Sequence, residues 1–375
     1  MNSTEPKLVS LCNPVLDEAE KEAVLHVIDG GWLSMGERVS AFEDAFAALH
    51  EVDQALAVDS CTAGLHLCLA ATGIGPGDEV LVPSLTFVAT VNAVLYVGAR
   101  PIFVDIQSLA TPHISIEEAE DKCTSRTRAV IVMHYGGYLV DLPAWRAFAD
   151  RRGLVLIEDA AHAPGVREVG QWGDVAAFSF FANKNMTTAE GGVVFARDPA
   201  VLSRMRTMRS HGMTTGTLER HRGHASSYDV TILGYNYRMD EIRAAIGLVQ
   251  LEKLPRLNAQ RNRLASRYRQ RLAETVPGVS VPFGAEQETA AHIMAVLLPE
   301  GADRENVMKR MRMEAIQTSI HYPPVHRFDF YRRSFREVSL PVTDRFCAKE
   351  LTLPLHPGLG EKELERVITA LGHSL

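Results

Sequence analysis

The chain of 375 residues has few cysteines: Cys12, Cys61, Cys68, Cys123 and Cys347, an odd number with no C-x-x-C pair among them. That scarcity argues against a disulfide framework or a thiolate zinc site and points to a reducing compartment, expected to be the cytoplasm. The opening MNSTEPKLVSLCNP lacks the basic and apolar regions of a secretory leader, so no export signal is expected. Positive charge is also short, with 39 Lys and Arg against 46 Asp and Glu and a net charge of −7. Wholesale binding to nucleic acid or to an anionic membrane is therefore not expected. One long stretch, residues 80–99, has no charge between its ends, yet Pro83, Ser84, Thr86, Thr90 and Asn92 interrupt it. A strand, a loop and a buried helix are expected there rather than a membrane span. Internal repeats and low-complexity tracts are absent as well.

What is present is ordinary globular composition, 46% apolar and 23% charged, in a length that suits two or three domains. From about Ala55 to Arg197, short β-branched runs alternate with helical stretches, the pattern of crossover units on a mostly parallel sheet. The expected strands are EVLVP (79–83), RPIFVDI (100–106), RAVIVMH (128–134) and LVLIE (154–158). Helices are expected at 90–97, 116–122 and 141–152, the last capped by Asp141 with Pro143 in its first turn. VAAFSFF (175–181) and GGVVFAR (191–197) lie so close together that an antiparallel pair is allowed. Residues 205–237 lose this rhythm and read as a surface loop or a lid. Helical spacing returns at 239–254 and is expected to end or kink at Pro255. A long, mostly solvated helix at 256–274 then leads into a small α/β domain. The expected division is 1–255 for a large domain and 256–375 for a small C-terminal one.

The densest group of reactive side chains lies in IEDAAHAPG and FSFFANKNMTTAEGG. Asp159 and His162 follow an apolar strand directly, which puts them at its carboxyl end, where open α/β sheets hold their ligands. Ser179 closes another β-like run, and Lys184 follows in the polar connection. A lone lysine in a loop is ordinarily a solvated charge, but here an amine, a carboxylate and an imidazole share one sheet edge. That set matches the needs of pyridoxal phosphate, which requires a lysine for a Schiff base and an acid to keep its ring nitrogen protonated. Lys184 is the natural amine and Asp159 the natural acid. Thr62 and the N–H groups near Ala63 and Gly64 open a helix suited to a phosphate, although hydroxyl residues at helix starts are also the usual caps. Phe87 could stack on the ring. A plain core position is the competing reading.

These segments, with DSCTAGLHL, GDEVLVPSLTFVAT, GARPIFVD and GYNYRMDEIRAAIGLVQL, resemble the sugar aminotransferases of the DegT/StrS type, within the fold-type I pyridoxal phosphate enzymes. The resemblance runs from roughly Gly30 to Leu254. It implies a fold-type I aminotransferase: a large domain with a mostly parallel mixed sheet flanked by helices, plus a smaller C-terminal α/β domain. It makes Lys184 the Schiff-base lysine, Asp159 the partner of the ring nitrogen and His162 a neighbour of the phenolic oxygen. Phe87 becomes the stacking residue, and Thr62, Ala63 and Ser179 hold the phosphate. Asn236 is expected to reach the phosphate of a neighbouring subunit, which implies a homodimer with shared active sites. Ala189 departs from the pattern, standing where a glycine often precedes Glu-Gly-Gly, and Met133 stands where a proline is frequent. Relatives that dehydrate sugars carry His at the position of Lys184, so lysine favours transamination.

The expected activity is transfer of an amino group from an amino acid, L-glutamate, to a nucleotide-linked keto-deoxyhexose, with Trp32, His321 and Tyr322 in the sugar pocket. The alternatives are a carbocyclic ketone such as an inosose, dehydration on the same cofactor, and a non-enzymatic sensor. His211, His221 and His224 complete no familiar metal spacing. Arg204, Arg206, Arg209, Arg220 and Arg222 form a basic stretch that would suit a nucleotide diphosphate, half of it expected to be plain surface.

Overall fold

A computed structural model describes residues 7–214, 227–285, 287–335 and 338–375. Seven strands form the main sheet: β1 (Leu56–Val58), β2 (Glu79–Pro83), β3 (Arg100–Val104), β4 (Thr127–Met133), β5 (Val155–Asp159), β6 (Val175–Ser179) and β7 (Gly192–Ala196). Their order is β1-β7-β6-β5-β4-β2-β3. Every pairing is parallel except those of β7, which runs antiparallel to both β1 and β6. The expected antiparallel pair is there, with Val175 opposite Ala196. Along the chain the helices are α1 (Glu18–Gly30), α2 (Glu37–Leu49), α3 (Cys61–Ala71), α4 (Val88–Tyr96), α5 (Ile116–Lys122), α6 (Leu142–Arg152) and α7 (Pro199–Arg209). They continue with α8 (Glu241–Thr275), α9 (Arg304–Met313), α10 (Asp329–Ser334), α11 (Pro341–Lys349) and α12 (Glu361–Ser374).

Both faces of the sheet are covered, as parallel strands require. On one, Leu56, Val80, Val82, Ile131 and Ile157 pack with Leu65, Leu69, Val91 and Val94 of α3 and α4. On the other, Phe178 and Phe195 meet Phe42 and Phe46 of α2 and Leu254 of α8, while Trp145 and Phe148 of α6 fill the far side against Val130, Val132 and Leu156. Residues 80–99 resolve into β2, a loop and α4, and no described helix is long and apolar enough to cross a membrane.

Pro255 does not interrupt the helix. Helix α8 runs 35 residues straight through it, because buried Leu251, Leu254, Leu257, Leu264, Tyr268 and Leu272 carry one stripe past the proline. Packing on both sides overrides a local cost of about 3 kcal/mol. Nor is the second half mostly solvated: Arg261 is buried and bonds the carbonyls of His292 and Leu355. The start of α8 holds another element in place. The buried carboxylate of Glu241 accepts the N–H groups of Gly36, Arg38 and Val39, satisfying the amino end of α2 that would otherwise be unpaired.

Strands β8 (Met294–Leu297) and β9 (Glu350–Leu353) form a separate antiparallel pair, whose core joins Val296 and Leu351 to Tyr268, Leu364, Val367 and Leu371. Val9 belongs to this same core and bridges to Ile316. Within the irregular stretch, α7 extends to Arg209. Arg209 is buried against Glu43 and the carbonyl of Ala57, and Arg204 bonds the carbonyl of Ala71. These two arginines are therefore engaged in holding the fold, while Arg220, Arg222, His221 and His224 lie outside the described residues.

Candidate active site

The carboxyl ends of β2, β4, β5 and β6 fall together at one edge of the sheet, and a cavity of about 390 Å³ opens there. Of the residues singled out from sequence, Thr62, Phe87, Asp159, His162, Ser179, Lys184, His321 and Tyr322 line it. Ala63, Trp32 and Asn236 do not. The N–H of Ala63 is taken by Ser60 Oγ, which caps α3. Trp32 directs its indole N–H to the carbonyl of Met35. Asn236 is exposed and bridges to Ser210.

Lys184 projects from the β6–β7 connection. Burial lowers its pKa to about 8, partly offset by Cys61 and Asp159. Among the described residues its Nζ has no hydrogen-bond or ion-pair partner. Asp159, the last residue of β5, is 3% exposed. Its Oδ2 accepts the hydroxyl hydrogen of Thr90 at 2.6 Å and its Oδ1 the N–H of Ala161 at 3.2 Å. Burial raises its pKa, while those two hydrogen bonds and the Lys184 amine oppose the rise. Because the hydrogen of Thr90 goes to the carboxylate, Thr86 donates to Thr90 at 2.7 Å.

His162 is neutral, held far below the usual histidine range by burial and by Lys184. Its Nδ1 accepts the N–H of Gly136 at 3.2 Å, so the ring hydrogen sits on Nε2 and points to the Tyr322 hydroxyl 2.9 Å away. Phe87 is not core. It is 55% exposed at the start of α4, with its ring 5.9 Å from that of Tyr322. The close approach of β7 to the start of α3 requires glycine: a Cβ on Gly192 would lie 2.6 Å from the Phe178 carbonyl oxygen and 2.8 Å from the Cys61 nitrogen. Ala189, three residues before Gly192, has φ of +67°, the left-handed region in which glycine is the ordinary occupant.

Several lining residues escaped the sequence reading: Cys61, Thr90, Met133, Asn183, Glu190 and His292. Thr90 carried a usable signal, standing three residues after Phe87 and hence one helical turn away. His292 carried none. It comes from the C-terminal part of the chain, packs against His162 with ring centres 4.2 Å apart and planes tilted by 43°, and bonds Asn185 Oδ1.

These observations suit a phosphorylated pyridine aldehyde. A cavity with an unpaired amine also presents Asn183 Oδ1, a buried oxygen with no partner among the described residues. A buried carboxylate, an exposed aromatic face and a capped helix start surround the same space. Fold and site together define a fold-type I pyridoxal phosphate enzyme.

The family model of the DegT/DnrJ/EryC1/StrS aminotransferase family matches residues 14–372, and the chain belongs to that family of pyridoxal phosphate-dependent sugar aminotransferases. It is 36% identical over 370 residues to the spore coat polysaccharide biosynthesis protein SpsC of Bacillus subtilis (strain 168), spanning 96% of this chain and 95% of that one. The crystal structure of the aminotransferase TlmJ from Streptoalloteichus hindustanus superposes with a TM-score of 0.90 at 35% identity, over 98% of each chain. DesI, solved in the presence of its TDP-sugar product, does so with a TM-score of 0.87 at 32% identity, over 98% of this chain and 93% of that one.

Proposed function

We propose that this chain moves an amino group from an amino acid, L-glutamate, to a nucleotide-linked keto-deoxyhexose. The observation that carries the reading is the pairing of an unpartnered, depressed-pKa amine at Lys184 with the buried carboxylate of Asp159 across one cavity. Lysine rather than histidine at 184 favours transamination over dehydration, and the TDP-sugar product in whose presence DesI was solved supports a nucleotide-linked acceptor.

When bound, pyridoxal phosphate supplies an aldehyde that takes up an amine and a protonated ring that withdraws electrons from it. Lys184 would hold that aldehyde, and its Nζ would be the base placed to move protons at the amino acid's α-carbon and at the carbon of the sugar ketone. Asp159 would keep the ring nitrogen protonated. His162 would lie beside the phenolic oxygen, Phe87 would cover the ring, and Thr62 and Ser179 would receive the phosphate, Ala63 lying outside the cavity with its N–H held by Ser60. His321 and Tyr322 face the sugar.

The reading includes a homodimer. Asn236 is exposed, outside its own cavity, and the nearby Tyr228, Val230 and Leu233 leave large apolar side chains uncovered. Asn236 and Trp32 would then serve the neighbouring site. We also place the domain division near residue 255, inside α8. Five free cysteines suit a reducing cytoplasm.

The test is turnover of a panel of nucleotide-linked 3-keto and 4-keto sugars with L-glutamate, alongside an inosose, for the wild type and Lys184→Ala. Amination of one nucleotide sugar, lost with the visible absorbance in the variant, supports the reading. Turnover of the inosose alone would replace the substrate, and an active Lys184→Ala enzyme would remove the mechanism.

A further inference from the structure

Glu350 is a fully buried carboxyl group in β9 with no part in the chemistry above. Its Oε2 accepts the backbone N–H of His321 at 2.9 Å, and its Oε1 lies 2.5 Å from the Thr352 hydroxyl. The same hydroxyl lies 2.9 Å from Nδ1 of His321, and His321 lines the active cavity. Carboxyl, hydroxyl and imidazole thus form an unbroken line from the small sheet to the site.

A hydroxyl carries one hydrogen. If Glu350 is ionised, Thr352 donates to Oε1, so Nδ1 of His321 must bear the ring hydrogen and donate to Thr352. Nε2 is then bare and can only accept. If Glu350 is protonated on Oε1, it donates to Thr352, Thr352 donates to Nδ1, and the ring hydrogen moves to Nε2. His321 stays neutral in both cases, since burial and the Lys184 amine hold its pKa at about 4.

We propose that Glu350 is a positioning residue whose proton, relayed through Thr352, decides whether His321 offers the cavity a hydrogen-bond donor or an acceptor. Burial lifts the Glu350 pKa to about 8, against hydrogen bonds from Thr352 and the His321 N–H and the charge of Arg304. Arg304 is also bonded to the Glu350 carbonyl oxygen, and Tyr135, Tyr322 and Cys347 face the carboxyl as neutral groups. Facing His321 are Lys184 and the neutral rings of His162 and His292. At neutral pH the relay therefore presents Nε2–H, a donor suited to an oxygen of the keto sugar. This substrate assignment rests on the sugar reading above, whereas the relay does not.

The experiment uses holoenzyme labelled with ¹⁵N at histidine, the His321 signal being assigned by its loss in His321→Gln. In the wild type the ring hydrogen moves from Nε2 to Nδ1 as the pH rises through about 8. In Glu350→Gln the amide oxygen takes the His321 N–H and the NH₂ group donates to Thr352, so Nε2–H persists to pH 9.5. Thr352→Ser switches like the wild type and Thr352→Val does not. Because Lys184 titrates in the same range, kcat/KM for the keto sugar is compared between variants at each pH. The ratio of wild type to Glu350→Gln falls about three- to tenfold from pH 7 to 9, the worth of one hydrogen bond. A single His321 tautomer in the wild type from pH 6.5 to 9.5, or a wild-type switch in Glu350→Gln, overturns the proposal. A normal switch without keto-sugar turnover supports the relay and overturns the sugar assignment instead.

Discussion

Thr90 donates its hydroxyl hydrogen to Oδ2 of Asp159 at 2.6 Å, across 69 positions of sequence. The bond ties the first turns of α4 to the end of β5 and leaves the carboxylate with one fixed orientation. It also favours the ionised form in surroundings that disfavour charge. An acid meant to stay charged beside a pyridine nitrogen needs that support.

Replacing Asp159 with Asn should therefore leave the circular dichroism spectrum intact and lower kcat by at least about 100-fold, the range for removing a preorganised charge. Thr90→Val, which keeps the carboxylate but loses its donor, should cost about tenfold by the same assay. Equal activity in all three proteins would show that Asp159 does not govern the cofactor.

The pKa of Lys184, near 8 because burial disfavours its charged form, sets a second expectation. Only the neutral amine attacks an aldehyde, so the group gains reactivity as the pH rises through the value. Mixing cofactor-free enzyme with pyridoxal phosphate should give a visible absorbance whose rate of appearance climbs about tenfold from pH 6.5 to 7.5 and levels off above about 9. A rate still climbing about tenfold per unit up to pH 9.5 would mean an amine of ordinary basicity.

Ala189 supplies a stability test. It is exposed, so its methyl group buries little, yet it holds φ of +67°. That conformation costs a non-glycine residue about 1–2 kcal/mol, against about 0.5–1 kcal/mol of extra chain entropy lost by glycine on folding. Ala189→Gly should raise unfolding stability by about 0.5–1 kcal/mol, read as a higher urea midpoint at unchanged slope. A lower midpoint would show that the connection is not strained there.

Local chemistry was enough for much of the architecture. Alternating β-branched runs marked six of the seven main-sheet strands, because a strand buried on both faces must be apolar over its whole length. The missing one, β1, has three residues and too little length to show a pattern. Strand ends followed by acids and hydroxyls marked the edge where Asp159, Ser179 and Lys184 meet, because the polar groups a ligand needs must interrupt an apolar run. What folding alone settled are relations between distant segments. Pro255 sits inside a continuous helix because side chains on either side of it are buried by neighbours that no local window contains. Phe87 is exposed over the cavity rather than buried, an outcome indifferent to its own flanking residues. His292 reaches the site from the C-terminal part of the chain, and Glu350 touches it only through Thr352 and His321, relations that no local pattern announces. Period and composition report how each segment meets a generic interior, whereas a hydrogen bond such as that of Thr90 to Asp159 exists only once the sheet has placed both ends within its reach.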